Sequence, residues 1–371
     1  MDLTELRAAI DEVDGELLAL LRRRAEISRR VGAAKKDEGG PVFRPEREQA
    51  VVDRLLRLNR ENGARSGGES LPDEHISRIW REIFSSSRAL QRPSRVAFLG
   101  PEGTFSHMAA LECLGHSISA APCETFDAVF RAVAEGACEL GLAPLENSLH
   151  GSIGQCFDLF AEHGIHIVGE HYSRIRLCLM STESELSAVK RVYSHPQPFG
   201  QSRGWLRAHL PGAALLPEES TAAAALKVKD EAGSAAIGHP GLAVMLGLRV
   251  LAEALEDSAS NWTRFAIIAP GREACSAHAE PGTALKTSLL FTVAHRPGTL
   301  AAVLDLLAGA GINMSKLESR PMRGIAWEYV FFMDTASDLL RPEHAETLEG
   351  LRERCQSLRV LGVYPHETPR L

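Results

Sequence analysis

The sequence predicts a multidomain chain: an all-α segment at residues 1–91, an α/β segment at 94–271 and a ferredoxin-like α+β segment at 285–371. Three observations carry this division. Residues 1–92 hold 18 Lys/Arg and 17 Asp/Glu, whereas 93–371 hold 23 and 31 over three times the length, so charge density halves at the first boundary. Beyond it, short apolar runs with strand character alternate with helical ones, the pattern of a sheet covered by helices. The stretch PGREACSAHAEPGT has linker composition, and residues 285–371 then run strand, helix, strand, strand, helix, strand.

Composition excludes several classes. A chain of 371 residues is expected to hold two or three domains. Its formal net charge of −7 argues against general nucleic-acid binding, which favours a basic face. No apolar run is long enough to span a membrane, and the acidic, amphipathic start MDLTELRAAIDEVD differs from a secretory signal or transit peptide. Seven cysteines (113, 123, 138, 156, 178, 275, 355) lie scattered without a C-x-x-C pair. That spacing points away from a structural metal and from a disulfide framework, and towards buried thiols in a reducing cytoplasm.

In the first segment, Asp2 and Glu5 form a D-x-x-E capping box before a long periodic run. Leu6, Ile10, Val13, Leu17, Leu20, Arg24, Ile27 and Val31 alternate spacings of four and three, a heptad seam in which Arg24 takes an apolar position. A guanidinium there requires an anionic partner, because an unpaired buried charge is costly. Lys35 comes next on nearly the same face. A second helix is expected to start at Pro45, with Glu48 one turn before its apolar face of Val51, Val52, Leu55 and Leu58. A third carries Ile76, Trp80 and Ile83, and its stripe continues into Ser87 and Gln91. Polar residues thus stand where apolar ones belong, either as a salt-bridged bundle core, as frayed helix ends, or as a ligand site.

The strings LTELRAAIDEVDGELLALLRRR, VGAAK, RPERE and SSSRALQ resemble the helical chorismate mutase family along this whole segment. The resemblance implies substrate contacts from Arg7, Arg24, Lys35, Arg44, Arg47, Glu48, Ser87 and Gln91. Arg44 stands where the family's best-known member has an acidic residue; the contact there is attributed to the backbone amide. Chorismate is a dicarboxylate that rearranges intramolecularly, so the reaction needs neither nucleophile nor cofactor. Catalysis rests on holding a compact conformer and stabilising charge on the breaking ether oxygen. Arginine forks suit the carboxylates. Lys35 and Gln91 are expected to donate to the ether oxygen, and Glu48 to accept from the ring hydroxyl. Arg7 and Arg24 are 17 residues apart, roughly 25 Å on one straight helix. One small substrate cannot touch both, so Arg7 is expected to come from a second chain, in a homodimer or higher oligomer.

The middle segment opens with VAFLG and continues through LGLAPL, IHIV, RIRLCLM, RVYS, ALLP, SAAIG and NWTRFAII as strands, with helices near 153–163 and from Phe199. Alternation of this kind implies parallel sheet, with ligands beyond the strand C-terminal ends. Polar loops fall there: GPEGTFS, PLENSLHGS, YSHPQPFGQ, EESTA and SASNWTRF. G-P-E-G-T-F is not a G-x-G-x-x-G fingerprint, which disfavours a nicotinamide dehydrogenase. These strings resemble the prephenate dehydratase family, whose fold is two α/β lobes, like a periplasmic solute-binding protein, with a cleft between them. The resemblance makes Thr263 the catalytic residue, assisting departure of the hydroxyl. It adds Thr104, Ser106, Glu146, Asn147, Ser148, Ser194, Gln201 and Arg264 as substrate contacts. Arg264 either holds a carboxylate or pairs with an acid. His195 is either a general acid or a loop-stabilising imidazole.

In the last segment, KTSLLFTVAH, RPGTLAAVLDLLAGAG, INMSKLESRP, IAWEYVFFMD, a helix near 342–355 and LRVLGVYP supply the βαββαβ order. The RPGTL and ESRP strings resemble the amino-acid-binding ACT family. They imply a phenylalanine site built from Pro297, Gly298, Leu300, Glu318 and Ser319. Together the resemblances imply a cytoplasmic bifunctional enzyme without cofactor, converting chorismate to prephenate and then to phenylpyruvate under phenylalanine inhibition. The competing readings are a non-enzymatic sensor and an enzyme whose helical segment serves only to dimerise.

Overall fold

The computed structural model describes residues 2–38, 42–66, 70–258, 260–271, 283–322 and 328–368. Most of the expected linker (272–282, with Cys275) and the first residues of the IAWEYVFFMD strand (325–327) lie outside them. The chain divides into two compact units: Met1–Arg44 with Val51–Ser94 and Leu114–Ser119, and Pro45–Ala50 with Arg95–Cys113 and Ala120–Leu371.

The helices are α1 (Leu3–Glu38), α2 (Pro45–Ser66) and α3 (Asp73–Gln91). The expected capping box forms. Asp2 Oδ1 accepts from the Thr4 and Glu5 N–H groups at 2.7 and 2.9 Å, and Glu5 Oε2 accepts from the Asp2 N–H at 2.8 Å. α1 then runs for 36 residues with its seam uncovered: Leu6, Ile10, Val13, Leu17 and Leu20 are 46–61% exposed. Each such side chain forgoes about half of the roughly 1.5–3 kcal/mol that full burial is worth. The far end of α1 lies against α3. A Cβ on Gly32 would stand 2.7 Å from Gln91 Cα, so only glycine allows the two backbones to meet there.

Beyond α3 the chain forms a first lobe: β1 (Arg95–Leu99), α4 (Phe105–Leu114), β2 (Ser119–Cys123), α5 (Phe126–Ala134), β3 (Leu140–Asn147), β4 (Gly151–Ser152), α6 (Gly154–Glu162) and β5 (Ile165–Arg174). A second lobe comes next, as β6 (Cys178–Ser181), β7 (Arg191–Ser194), α7 (Pro196–Gln201), α8 (Arg203–His209), β8 (Ala214–Pro217), α9 (Thr221–Lys229), β9 (Ser234–Gly238), α10 (Pro240–Leu246) and β10 (Arg249–Glu253). The chain then returns to the first lobe as β11 (Trp262–Pro270). The sheet orders are β2-β1-β3-β11-β5 with β4 beside β3, and β10-β6-β9-β7-β8. The expected parallel sheet is mixed in both lobes. β1 and β3 are parallel, as are β7, β8 and β9, but β11 runs antiparallel to β3 and β5, and β6 antiparallel to β9 and β10. The cause is the double crossing: the chain leaves the first sheet after β5 and comes back only at β11, which runs counter to its neighbours. The helix expected from Phe199 starts earlier, at Pro196, because His195 Nδ1 accepts from the Gln197 N–H and caps it.

The last segment is β12 (Leu285–Thr292), α11 (Thr299–Gly309), β13 (Met314–Pro321), β14 (Tyr329–Thr335), α12 (Ala345–Arg354) and β15 (Ser357–Pro365), in the antiparallel order β13-β14-β12-β15. One sheet face packs on its own helices through Leu289, Val303, Leu307, Met333 and Leu351. The other enters the core of the first lobe, where Leu290, Val330, Phe332, Leu361 and Tyr364 join Phe157 and Phe160. The Phe157 and Phe332 ring centroids are 4.7 Å apart. The third segment is therefore part of the second compact unit rather than a separate body.

A charged cluster joins three parts of this unit. His171 of β5 lies between Glu112 of α4 and Glu367, just beyond β15, its Nε2 and Nδ1 each 3.3 Å from a carboxylate oxygen. Ser173 Oγ donates to Glu112 at 2.7 Å, and His239 of the second lobe lies 3.6 Å from the same carboxylate. Burial acts to lower the His171 pKa, but the hydrogen bonds to Glu112 and Glu367 outweigh it and lift it from 6.5 to about 9. Burial acts to raise the Glu112 pKa, and hydrogen bonds from His171, His239 and Ser173 outweigh that and hold it below the ordinary carboxylate range. A raised histidine pKa stabilises the fold fully below its unfolded value and loses that contribution as pH rises through the folded one. The thermal unfolding midpoint of this unit is therefore expected to fall by several degrees between pH 7 and pH 10, a loss of about 2.5 kcal/mol. His171→Gln should flatten that slope in a melting series across pH; an equally steep slope in the variant would assign it to other groups.

Candidate active sites

In the helical unit the structure brings Arg24 to α3. Its Nη1 donates to Ser87 Oγ and its guanidinium lies 5.7 Å over the Phe84 ring, while Ser87 Oγ donates to the Ile83 carbonyl at 2.6 Å. The seam arginine is thus half-buried against a hydroxyl and an aromatic face. The Gly32–Gln91 approach sets Gln91 beside the last turns of α1, where Lys35 stands three residues on. Gln91 Oε1 is buried and has no hydrogen-bond partner among the described residues. Arg7 is exposed on the same unbroken helix as Arg24, about 25 Å away along its axis. Arg44 is half-buried, its Nε without a partner among the described residues. Arg47 and Glu48, exposed and half-buried respectively, sit in the first turn of α2, within the Pro45–Ala50 stretch that clusters with the second unit. A single chain therefore places Arg24, Ser87, Lys35 and Gln91 along the α1–α3 contact and leaves Arg7 remote.

In the second unit the site arises from one strand pair. β3 and β11 run antiparallel with Thr263 opposite Asn147 and Arg264 opposite Glu146. Successive side chains on a strand point to opposite faces, so these two pairs cannot share a site. Asn147 Nδ2 donates to Thr263 Oγ1 at 3.0 Å, Asn261 Oδ1 at 2.9 Å and the Trp262 carbonyl at 3.1 Å. Its Oδ1 accepts from the backbone N–H groups of Leu149 and His150 at 3.0 and 3.1 Å, which fixes which end of the amide is which. Thr263 Oγ1 thus receives a hydrogen bond, and its own proton remains to be donated. Beside this pair a cavity of 370 Å³ is lined by Leu149, His150, Gln197, Gln201 and Asn261, among others. Gln201 Nε2 lies 3.2 Å from His150 Nε2.

Other expected contacts are placed elsewhere. Glu146 is on the opposite face, where Lys316 Nζ donates to it at 2.9 Å. Arg264 shares that face and is enclosed by acids: Nε donates to Glu170 at 2.8 Å, Nη1 to Asp334 at 2.6 Å and Nη2 to the Tyr364 hydroxyl at 3.2 Å. Of its two readings, pairing with an acid is the one the structure shows. Burial opposes the Arg264 charge, but Asp334, Tyr364 and Glu170 outweigh it and raise its pKa well above the ordinary value. Ser194 is fully buried and donates to the Ile237 carbonyl at 2.9 Å, tying β7 to β9. Ser148 clasps the neighbouring loop, donating to the Ser260 carbonyl at 2.7 Å and accepting from the Trp262 N–H at 2.9 Å. Thr104 bonds the Leu99 carbonyl at 3.0 Å at the head of α4, where Ser106 is buried. His195 serves as the α7 cap. His150 and Asn261 escape the sequence reading although both stand in loops it singles out; each lies next to a motif rather than inside it.

In the third sheet a second cavity, of 230 Å³, is lined by His295, Arg296, Gly298, Leu300, Glu328 and Tyr329, with others. Gly298 caps α11 with φ +82°, the left-handed region that favours glycine. Pro297 is the exposed residue before it. Glu318 is not at this cavity: alternation on β13 turns it with Lys316 and Arg320 towards the first lobe, where it accepts from Ser152 Oγ at 2.7 Å. Arg320 pairs with Asp158 through two bonds of 2.9 and 3.1 Å. Ser319 is exposed, on β13 at the edge of the sheet.

Comparison with known proteins agrees with this division of labour. Residues 6–92 match the type II chorismate mutase family, 96–273 the prephenate dehydratase family and 287–353 the ACT domain. A bifunctional chorismate mutase/prephenate dehydratase from Aquifex aeolicus is 37% identical over 364 residues, covering 98% of both chains. Among solved structures, GqqA, described as a novel type of quorum quenching acylase, superposes with a TM-score of 0.67 at 33% identity, over 74% of this chain and 98% of its own. A prephenate dehydratase from Arthrobacter aurescens in complex with L-Phe gives a TM-score of 0.66 at 32% identity, over 73% and 90%. Three successive family matches and similarity along nearly the full length of a two-activity relative lead to one assignment: the chain belongs to the bifunctional chorismate mutase/prephenate dehydratase family.

Proposed function

We propose that the chain rearranges chorismate to prephenate in its helical domain (1–91), and decarboxylates and dehydrates prephenate to phenylpyruvate in its two-lobed domain (94–271). Phenylalanine is the inhibitor, acting through residues 285–371, and the cytoplasm is the compartment. The observation that carries the dehydratase reading is the Asn147–Thr263 pair, buried beside the cavity that Asn261 lines, in which Thr263 Oγ1 accepts from Asn147 and keeps its own proton to donate. As the ring carboxylate leaves as CO₂, the electron pair of its bond to the ring moves into the ring and expels the para-hydroxyl. That hydroxyl needs a proton or a strong donor beside it. Threonine is a weak acid, and the hydrogen bond that Oγ1 accepts from Asn147 polarises its O–H towards the leaving group. Gln201, on the cavity wall, orients the substrate, and Asn147 holds Thr263 in place. Arg264 touches none of it: it ties the Thr263 strand to Asp334 of the regulatory sheet, a physical route from effector to cleft.

The mutase reading rests on the cations of the α1 face. Arg24 and Arg47 hold carboxylates, Lys35 and Gln91 donate to the ether oxygen, and Glu48 receives the ring hydroxyl. The exposed seam of α1 finds its cover in a second copy packed antiparallel, which brings the partner's Arg7 to the Arg24 site. For the effector, the RPGTL turn supplies backbone donors to a carboxylate at the start of α11.

Independent sites have a direct consequence. Lys35→Ala should abolish rearrangement while dehydration of supplied prephenate stays within about threefold of normal, and Thr263→Ala should do the reverse and let prephenate accumulate from chorismate. Loss of both activities in either folded variant would contradict independent sites. Mixing Arg7→Ala with Arg24→Ala chains should restore about a quarter of wild-type mutase activity, since half the dimers are mixed and each holds one intact site. A mixture that stays inactive after confirmed subunit exchange removes Arg7 from the shared site.

A further inference from the structure

Asn261 stands two residues before Thr263, where the ladder with β5 continues: its carbonyl accepts from the Ile175 N–H at 2.9 Å. Its residue surface is only 1% exposed. The orientation of its amide is set by a chain of hydrogen bonds. The Leu149 and His150 backbone N–H groups occupy Asn147 Oδ1, so Asn147 offers its Nδ2, and Asn261 must meet that donor with its own oxygen at 2.9 Å. Asn261 Nδ2 is left buried with no partner among the described residues, and Asn261 lines the 370 Å³ cavity with His150, Gln197 and Gln201. A buried amide N–H without an acceptor costs about 1–3 kcal/mol, and one that faces a cavity calls for an acceptor from what enters that cavity.

We propose that Asn261 Nδ2 is a substrate-positioning donor that holds the ring carboxylate of prephenate, the group lost as CO₂. This inference rests on the dehydratase reading and names a contact within it. Asn261 and Thr263 share one donor, Asn147 Nδ2, and therefore one face of the strand. Residues two apart on a strand are separated by about 6.6 Å, comparable to the span between para substituents of a six-membered ring. With the leaving hydroxyl at Thr263, the opposite ring carbon falls near Asn261. Charge supports a neutral donor in this role. The carboxylate is an anion in the ground state and becomes neutral CO₂, so a cation bound to it would favour the substrate over the transition state. The residues described around the cavity include no Lys or Arg. Its acids are already engaged with backbone donors: Glu256 with Leu177 N–H at 2.9 Å, and Asp257 with Gly204 N–H at 3.0 Å and Trp205 N–H at 3.3 Å.

The test compares Asn261→Ala and Asn261→Asp with wild type in the full-length enzyme. Prephenate kinetics, inhibition by phenylpyruvate and the unfolding midpoint are the readouts. Asn261→Ala should raise KM for prephenate at least tenfold with kcat within about threefold. Phenylpyruvate, which lacks the ring carboxylate, should inhibit it as it inhibits wild type. Asn261→Asp keeps the acceptor for Asn147 but faces the substrate with an oxygen. It should lose more than the alanine variant at pH 8 and recover part of the loss as pH falls towards 5. An unchanged KM, or phenylpyruvate inhibition weakened in parallel with KM, would overturn the assignment, as would a kcat loss that tracks a lowered unfolding midpoint. Wild-type enzyme that fails to turn over prephenate would instead defeat the dehydratase reading itself.

Discussion

Arg264 is buried between Glu170 and Asp334, and the architecture of the larger unit is organised around that pairing. Glu170 is on β5 and Asp334 on β14; Lys286 of β12 donates to Glu170 at 2.8 Å, and Ser288 and Tyr364 close the cluster. Four charges taken out of water are tolerated only because each meets an opposite partner; removing one partner of such a set costs about 3–5 kcal/mol. The cluster therefore ties β11, held between β3 and β5 in the first lobe's sheet, to the regulatory sheet. Burial lowers the Lys286 pKa even beside Glu170, a sign of how dry the surroundings are.

The consequence for chemistry comes from strand geometry. Thr263 and Arg264 are chain neighbours, so one must face the cleft when the other faces the core. The same alternation acts on β3, where Asn147 works with Thr263 and Glu146 is bound by Lys316. Thr263 and Asn147 are thus each next to a residue tied to the third sheet, Arg264 to Asp334 and Glu146 to Lys316. An effector acts only through a difference in affinity between two arrangements. A sheet that shares its core and its ion pairs with β3 and β11 has the contacts to convert such a difference into a shift of Thr263 against Asn147.

Much of this is legible in the residues. The capping box, the heptad seam and the glycine-opened helix of the last segment come directly from spacing, because local backbone chemistry decides them. The antiparallel return of β11 does not, since it arises from a double crossing between lobes that no local pattern encodes. Glu146 and Arg264 are misplaced for a related reason: a contiguous motif suggests a contiguous site, although its strand character already assigns alternate residues to opposite faces. Ser194 and Ser148 have the right chemistry, but their hydroxyls are consumed by backbone carbonyls. Asn261 escapes notice in the sequence because its significance lies in an unpartnered atom, which only the folded arrangement exposes.

The coupling through Arg264 is tested most directly by the phenylalanine dose-response of prephenate dehydration in Asp334→Asn. This change removes the regulatory sheet's negative charge beside Arg264, while Arg264 and Lys286 both keep Glu170. The half-inhibitory concentration is expected to rise at least fivefold, a coupling of about 1 kcal/mol, with chorismate rearrangement unaltered. A folded variant whose inhibition curve superimposes on that of wild type would contradict the account.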